Sequence, residues 1–331
     1  MPTSIQQSQR TDQRVDVPGR GGLTGLLALL VVGGAVLFVR ARATTRARET
    51  VGRRLTPNPD GIVAGASTID LPSDGRHGVL LLHGFGDTPQ TLRYLADHLH
   101  AQGWGVRAPL LPGHGRTLQE FAASRADQWV DLAREELVAL RARYETVAIV
   151  GLSMGGAIAT ILTGDARDVR ALVLLAPYLS MPTRLRRAAG IYPILGVLFP
   201  FLRGGGDRSI RDPIEAARNL AYGFATPRLV FELRRIVDRA RTAAPAVSAP
   251  TLVVQSRQDN RIPPDAAERA FGLFRVPDRR LLWTEGNGHI ITVDYGRQVV
   301  FAAVADWLET HVRGSLDVSS APSHSAGPRV S

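Results

Sequence analysis

Apolar residues in this chain come in short runs, each closed by glycine, proline or a polar residue. Gly78-Val79-Leu80-Leu81-Leu82-His83, Ala148-Ile149-Val150-Gly151, Ala171-Leu172-Val173-Leu174-Leu175 and Thr251-Leu252-Val253-Val254-Gln255 have the length and flanks of strands buried on both faces. Gly105-Val106-Arg107-Ala108-Pro109 and Arg280-Leu281-Leu282-Trp283 read as two further strands. Between the runs the period changes. Leu92, Leu95, Ala96 and Leu99 share one face of a helix from about Gln90 to Gln102. A long amphipathic helix is expected from Ala126 to Tyr144, and a closing one from Val299 to His311. Strands alternating with helices predict an α/β domain over 61–313, a mostly parallel sheet with helices on both faces.

The rhythm fails between 177 and 247. Pro182, Pro193, Pro200, Pro213 and Pro227, with Gly204-Gly205-Gly206, interrupt short helical segments, and a helical lid inserted over the sheet edge is the reading. Its stretch from Ile191 to Leu202 holds twelve residues without a charge. Two prolines break it, and it is too short to span a bilayer. It is either lid core packed on the body or an apolar lip for acyl chains and membrane surface. From Gly314 to Ser331 the chain is rich in Ser, Pro and Gly and is expected to be disordered.

At the other end, residues 1–20 are polar, of mixed charge, and expected to be disordered. Leu23 to Val39 then runs seventeen residues without a charge. As a helix it covers roughly 26 Å, close to the hydrocarbon thickness of about 30 Å, and extension back to Gly21 narrows the gap. The reading is a single transmembrane helix over 21–39, followed by a basic juxtamembrane linker over 40–60. A cleaved signal peptide and a buried core helix are the rivals. The first lacks a good cleavage site, because Ala41-Arg42-Ala43 sits among arginines. Three arginines precede the span and six follow it before Leu55, which favours a cytoplasmic catalytic domain on a cell-membrane anchor.

Composition changes this picture little. The 331 residues carry a net charge of +10, and residues 1–54, with nine arginines against Asp12, Asp16 and Glu49, account for six of the ten. No basic groove with interleaved aromatics accompanies them, so no nucleic-acid partner is expected. Cysteine is absent, which excludes disulfides and cysteine-built metal sites.

The candidate chemistry sits after the run at 148–150, in Gly151-Leu152-Ser153-Met154-Gly155-Gly156. A strand that reverses directly into a helix crowds the residues two before and two after the apex, so Gly151 and Gly155 leave room for the bend and the Ser153 hydroxyl is lifted above the sheet edge. A loop serine between glycines is the bland alternative, but the strand before and the helix after favour the strained turn. A serine hydroxyl needs a base, and the base an orienter. Asp259 follows the strand ending at Gln255, and His289 follows the strand ending at Trp283, so both fall at carboxyl ends of strands. His311 lies at the end of the last helix and His324 in the tail, which makes them poor rivals. Asp294 reads as a cap of the last helix. Oxyanion donors are expected from the backbone amides of Phe85 and Met154. His83 and His114, beside glycines, read as loop-shaping residues.

Taken together, His83-Gly84-Phe85-Gly86, Leu111-Pro112-Gly113-His114-Gly115, Gly151-Leu152-Ser153-Met154-Gly155-Gly156, Asp259 and Gly288-His289 resemble the α/β-hydrolase superfamily, and within it bacterial carboxylesterases and monoacylglycerol lipases. The likeness covers about 78–312 and is weak in the lid. It implies hydrolysis of carboxylic esters, monoacylglycerol or other mono-acyl lipid esters, through an acyl-enzyme. Ser153 is then the nucleophile, Asp259 the acid, His289 the base, and Phe85 and Met154 the oxyanion donors. No metal or organic cofactor is implied. Acyl transfer or another chemistry on the same residues, and an idle membrane-anchored scaffold, are the alternatives.

Overall fold

The computed structural model describes residues 20–204 and 209–314. The chain divides into two compact units, Met1–Arg42 and Ala43–Ser331. In chain order the elements are α1 (Arg20–Gly52), β1 (Ile69–Leu71), β2 (His77–Leu82), α2 (Arg93–His100), β3 (Gly105–Ala108), α3 (Leu118–Ala123), α4 (Ala126–Arg143), β4 (Thr146–Leu152), α5 (Met154–Asp165) and β5 (Val169–Leu175). Then come α6 (Thr183–Gly190), α7 (Tyr192–Leu198), β6 (Leu202–Arg203), α8 (Pro213–Arg218), β7 (Phe224–Ala225) and α9 (Pro227–Ala243). The chain closes with β8 (Thr251–Ser256), α10 (Pro264–Phe271), β9 (Arg279–Thr284) and α11 (Arg297–Leu308).

Seven strands form one sheet in the order β1-β3-β2-β4-β5-β8-β9, parallel except for β1, which pairs antiparallel to β3 at the edge. The apolar runs become its centre because they can be covered on both sides. In β2, Leu80 and Leu82 face a core with Trp129 of α4, Ile158 of α5 and Leu233 of α9. Val79 and Leu81 face a second core with Leu95 and Leu99 of α2 and Val304 and Leu308 of α11. The same alternation runs through β4, β5 and β8. This is the α/β-hydrolase fold.

The chain winds from β2 outward to β3, then returns past β2 to β4 and β5. The order therefore reverses between β2 and β4, and at such a point the loops at the carboxyl ends of the two strands part and leave a crevice. Gly84 and Phe85 follow one of these strands and Ser153 the other.

Between β5 and β8, which are neighbours in the sheet, lies the inserted segment that carries α6 to α9 and a two-stranded ribbon of β6 and β7. α9 packs its face of Leu229, Leu233, Ile236 and Ala240 into the first core. α7 buries none of its residues. Ile191, Ile194, Val197, Leu198 and Phe199, on and beside it, are each about half exposed or more.

Two expectations near the N-terminus need correction. Residues 40–60 are not simply a linker, since α1 continues to Gly52 and Ala47, Val51 and Leu55 are buried in the core of the second unit. Ala47 and Val51, four apart, share one face of a helix otherwise rich in arginine, and Leu55 follows just past its end. In the first unit, Leu26, Leu27, Leu29 to Val32 and Leu37 to Val39 are exposed. Among the described residues, however, no helix is long and apolar enough to cross a membrane. The uncharged run, Gly21 to Val39, is nineteen residues, just short of the roughly 20 that a spanning helix requires. The disorder expected over 1–20 and 314–331 falls, but for Arg20 and Gly314, outside the described residues.

Candidate active site

Ser153 sits at the apex between β4 and α5 with φ 54° and ψ −114°, a conformation costing a non-glycine residue about 1–3 kcal/mol. Its surroundings hold it there. The Ser153 amide donates to the Leu175 carbonyl at 2.9 Å, and its own carbonyl accepts from Gly156 at 3.0 Å and Tyr178 at 3.0 Å. The flanking glycines are obligatory on steric grounds. A Cβ on Gly155 would lie 2.0 Å from the Leu82 carbonyl oxygen, and one on Gly151 would lie 2.3 Å from that of Gly155.

The structure brings Ser153, His289 and Asp259 together from three loops. His289 Nε2 lies 2.8 Å from Ser153 Oγ, and His289 Nδ1 lies 2.8 Å from Asp259 Oδ2. A carboxylate can only accept, so Nδ1 carries the proton and Nε2 presents its lone pair to the serine hydroxyl. All three side chains are buried. Burial alone would push the Asp259 carboxyl up, but the imidazole of His289 and the amides of Arg261 and Ile262 outweigh it and hold the group below the usual carboxylate range. Those amides reach Oδ1 at 2.7 and 3.0 Å, while Gln255 Nε2 reaches Oδ2 at 2.8 Å. Asp259 is therefore charged and fixed in orientation.

The loop after β2 passes directly beside the serine. A Cβ on Gly84 would lie 3.5 Å from Ser153 Cβ and 3.9 Å from its Oγ. The amides of Phe85 and Met154 have no acceptor among the described residues. Met154 opens α5, whose first amides are unpaired by geometry and whose dipole favours negative charge at that end.

His83 and His114 brace this loop from behind. His83 Nδ1 donates to the Gly84 carbonyl at 2.9 Å, and its Nε2 accepts the Leu111 amide at 3.1 Å, so one neutral ring ties the two front loops together. Burial drops its pKa to about 4, and burial together with the neighbouring His83 holds that of His114 well below the usual imidazole range. His114 packs edge-on against His83, Phe121 and Trp129. Asp87, also buried in this loop, is pushed up to about 7 by desolvation against the opposing hydrogen bonds of Thr88 and Thr91.

Sequence reasoning misread Asp294. α11 begins after Gly296, in the left-handed region, and takes no side-chain cap. Asp294 instead accepts four amides: Gly288 at 2.7 Å and Tyr295 at 2.8 Å within its own loop, and Arg211 at 2.8 Å and Asp212 at 2.9 Å from the inserted segment. Ser209 adds to this junction, its carbonyl accepting the Ile290 amide at 2.8 Å and its hydroxyl the Arg261 Nε at 3.1 Å. A second fastening of the insertion, just past α8, is made by Tyr222. Its amide donates to the Gly86 carbonyl at 3.1 Å, its hydroxyl bonds with Arg116 and Gly113, and its ring stacks on Phe121 at 4.6 Å. A charged residue inside the apolar run from Ile290 to Val293 and its sequel was the one available signal for Asp294. Of the rejected histidines, His311 faces Asp278 at 3.4 Å, away from this site, and His324 lies outside the described residues.

Known proteins resemble this chain over most of its length. The thermostable monoacylglycerol lipase of Bacillus sp. (strain H-257) is 25% identical over 250 residues, 76% of this chain and 97% of the relative. The carboxylesterase of Bacillus subtilis (strain 168) is 27% identical over 237 residues, 71% of this chain and 93% of the relative. A solved structure from work on LipS and LipT, two metagenome-derived lipolytic enzymes, superposes with a TM-score of 0.70 at 28% identity, covering 76% of this chain and all of that one. The family of hydrolases described as serine aminopeptidase, S33, matches residues 73–295, and this chain belongs to it.

Proposed function

We propose that this protein is a serine hydrolase that cleaves carboxylic esters of mono-acyl lipids through an acyl-enzyme. One observation carries the reading: Ser153 Oγ, His289 and Asp259 form an unbroken hydrogen-bond relay at 2.8 Å each, beside two amides that have no acceptor among the described residues. In the proposed reaction Ser153 Oγ attacks the ester carbonyl while His289 Nε2 takes its proton. The oxyanion is stabilised by the amides of Phe85 and Met154, each such donor contributing about 10²–10³ in turnover. His289 returns the proton to the leaving alcohol, and the acyl group stays on Ser153. A water, deprotonated in turn by His289, releases the carboxylic acid and restores the serine. Asp259 holds the imidazole in the tautomer these steps require.

The substrate class rests on two supports. Relatives named as a monoacylglycerol lipase and a carboxylesterase match nearly their full length. The inserted segment acts as a lid in this proposal, and its exposed Ile194, Val197, Leu198 and Phe199 suit an acyl chain better than water. We expect kcat/KM for p-nitrophenyl esters to rise from acetate to octanoate. A strict preference for acetate would remove the lipid part of the proposal and leave the esterase part standing.

The exposed apolar residues between Leu26 and Val39 extend the proposal to the membrane. They occupy every side of α1 rather than one stripe, so water covers none of them favourably. We expect the full-length protein to sediment with lipid vesicles, and a version lacking residues 1–42 to remain in the supernatant. Equal partition of the two would end the membrane assignment.

A further inference from the structure

We infer that Gln255 is a positioning residue that sets the orientation and charge of the Asp259 carboxylate, an inference that rests on the relay proposed above. Gln255 is the fifth residue of β8, a strand buried along its whole length, and is itself fully buried. Its neighbours Leu252, Val253 and Val254 are what such a strand calls for, and an amide is not. Its Nε2 donates to Asp259 Oδ2 at 2.8 Å, the same oxygen that faces His289 Nδ1. The amide's two ends are distinguished by chemistry, since a carboxylate offers nothing for Oε1 to accept. Oε1 is buried and has no hydrogen-bond partner among the described residues. A methionine would fill the space without leaving a carbonyl unsatisfied. The sequence therefore keeps a residue that weakens the core at the one place where its donor reaches the acid of the relay, as residues at functional sites commonly do.

The donor has two effects. With the amides of Arg261 and Ile262 on Oδ1, it leaves the carboxylate no rotation about its Cβ–Cγ bond that keeps all its partners. It also draws charge from the oxygen facing His289, moderating how firmly the imidazole holds a second proton. The other charged and titratable groups here are otherwise engaged. Arg261 turns its Nε to Ser209 Oγ, Asp294 is occupied by its four amides, and the Tyr178 phenol, near Arg261, is held protonated by burial.

The test is steady-state hydrolysis of p-nitrophenyl butyrate by the full chain across pH, for wild type, Gln255→Met and Gln255→Glu. For Gln255→Met we expect kcat to fall roughly tenfold, the scale of a lost hydrogen bond to a charged group, with KM unchanged. The acidic limb of its kcat–pH curve should move to higher pH, because Asp259 with one donor fewer favours the doubly protonated imidazole. Gln255→Glu keeps the shape and should lose activity as pH rises and its carboxyl ionises against Asp259, where wild type holds its rate. Unchanged kcat in Gln255→Met, or a fall in both variants with neither curve displaced, overturns the inference and makes Gln255 a packing residue. If Gln255→Met does not fold, Gln255→Glu decides alone by the same criterion. Failure of the relay itself reads differently: Ser153→Ala would keep its turnover, and the inference would fall with it.

Discussion

Ser153→Ala is expected to lower kcat by about 10⁶, His289→Ala by a similar factor, and the double variant by no more than either. The reason is geometric. Ser153 Oγ and His289 Nε2 share one hydrogen bond of 2.8 Å, and neither contributes to covalent catalysis without the other. Residual activity of about 10³–10⁴ over water should survive, since the amides of Phe85 and Met154 and the binding crevice remain. The measurement is p-nitrophenyl ester turnover with fluorophosphonate labelling, at matched thermal stability. Wild type should label and Ser153→Ala should not. Multiplicative losses in the double variant would mean that the two residues act independently, and the acyl-enzyme proposal could not stand.

Asp259→Asn is expected to cost about 10⁴ in kcat while the protein stays folded. An asparagine fits because Oδ1 can keep the amides of Arg261 and Ile262. Its Nδ2 then replaces Oδ2, and Gln255 can rotate its side-chain amide to present the Oε1 that otherwise lacks a partner. The new donor facing His289 Nδ1 forces the imidazole proton to Nε2, where it points at Ser153 and cannot accept. The wrong tautomer is thereby stabilised rather than merely permitted. Stability close to wild type with near-full activity would show that another group orients His289.

The nucleophile turn was legible in the sequence because its constraints are local: two glycines four apart, a strand before and a helix after. Asp259 and His289 were legible from their places after late strands, although 136 residues separate His289 from Ser153. Asp294 was not, because two of its four donors come from Arg211 and Asp212, more than 80 residues away. Gln255 was read as the end of a strand, and nothing in its neighbours betrays the carboxylate it meets. The edge strand β1 and the buried residues Ala47, Val51 and Leu55 escaped because three residues each carry too little periodicity to stand out. The degree to which α7 is exposed depends on what α9 leaves uncovered, which composition does not report.

The double fastening of the inserted segment has a practical consequence for anyone exchanging it with that of a relative to alter chain-length preference. A graft that replaces everything between β5 and β8 also removes the carbonyl that receives Ile290, the amides that Asp294 gathers, and the tyrosine anchoring Gly86. Such a chimera would lose rate for reasons unrelated to what its new roof admits. Splice points confined to 183–199 leave all of those ties in place, and a change in selectivity can then be read as one.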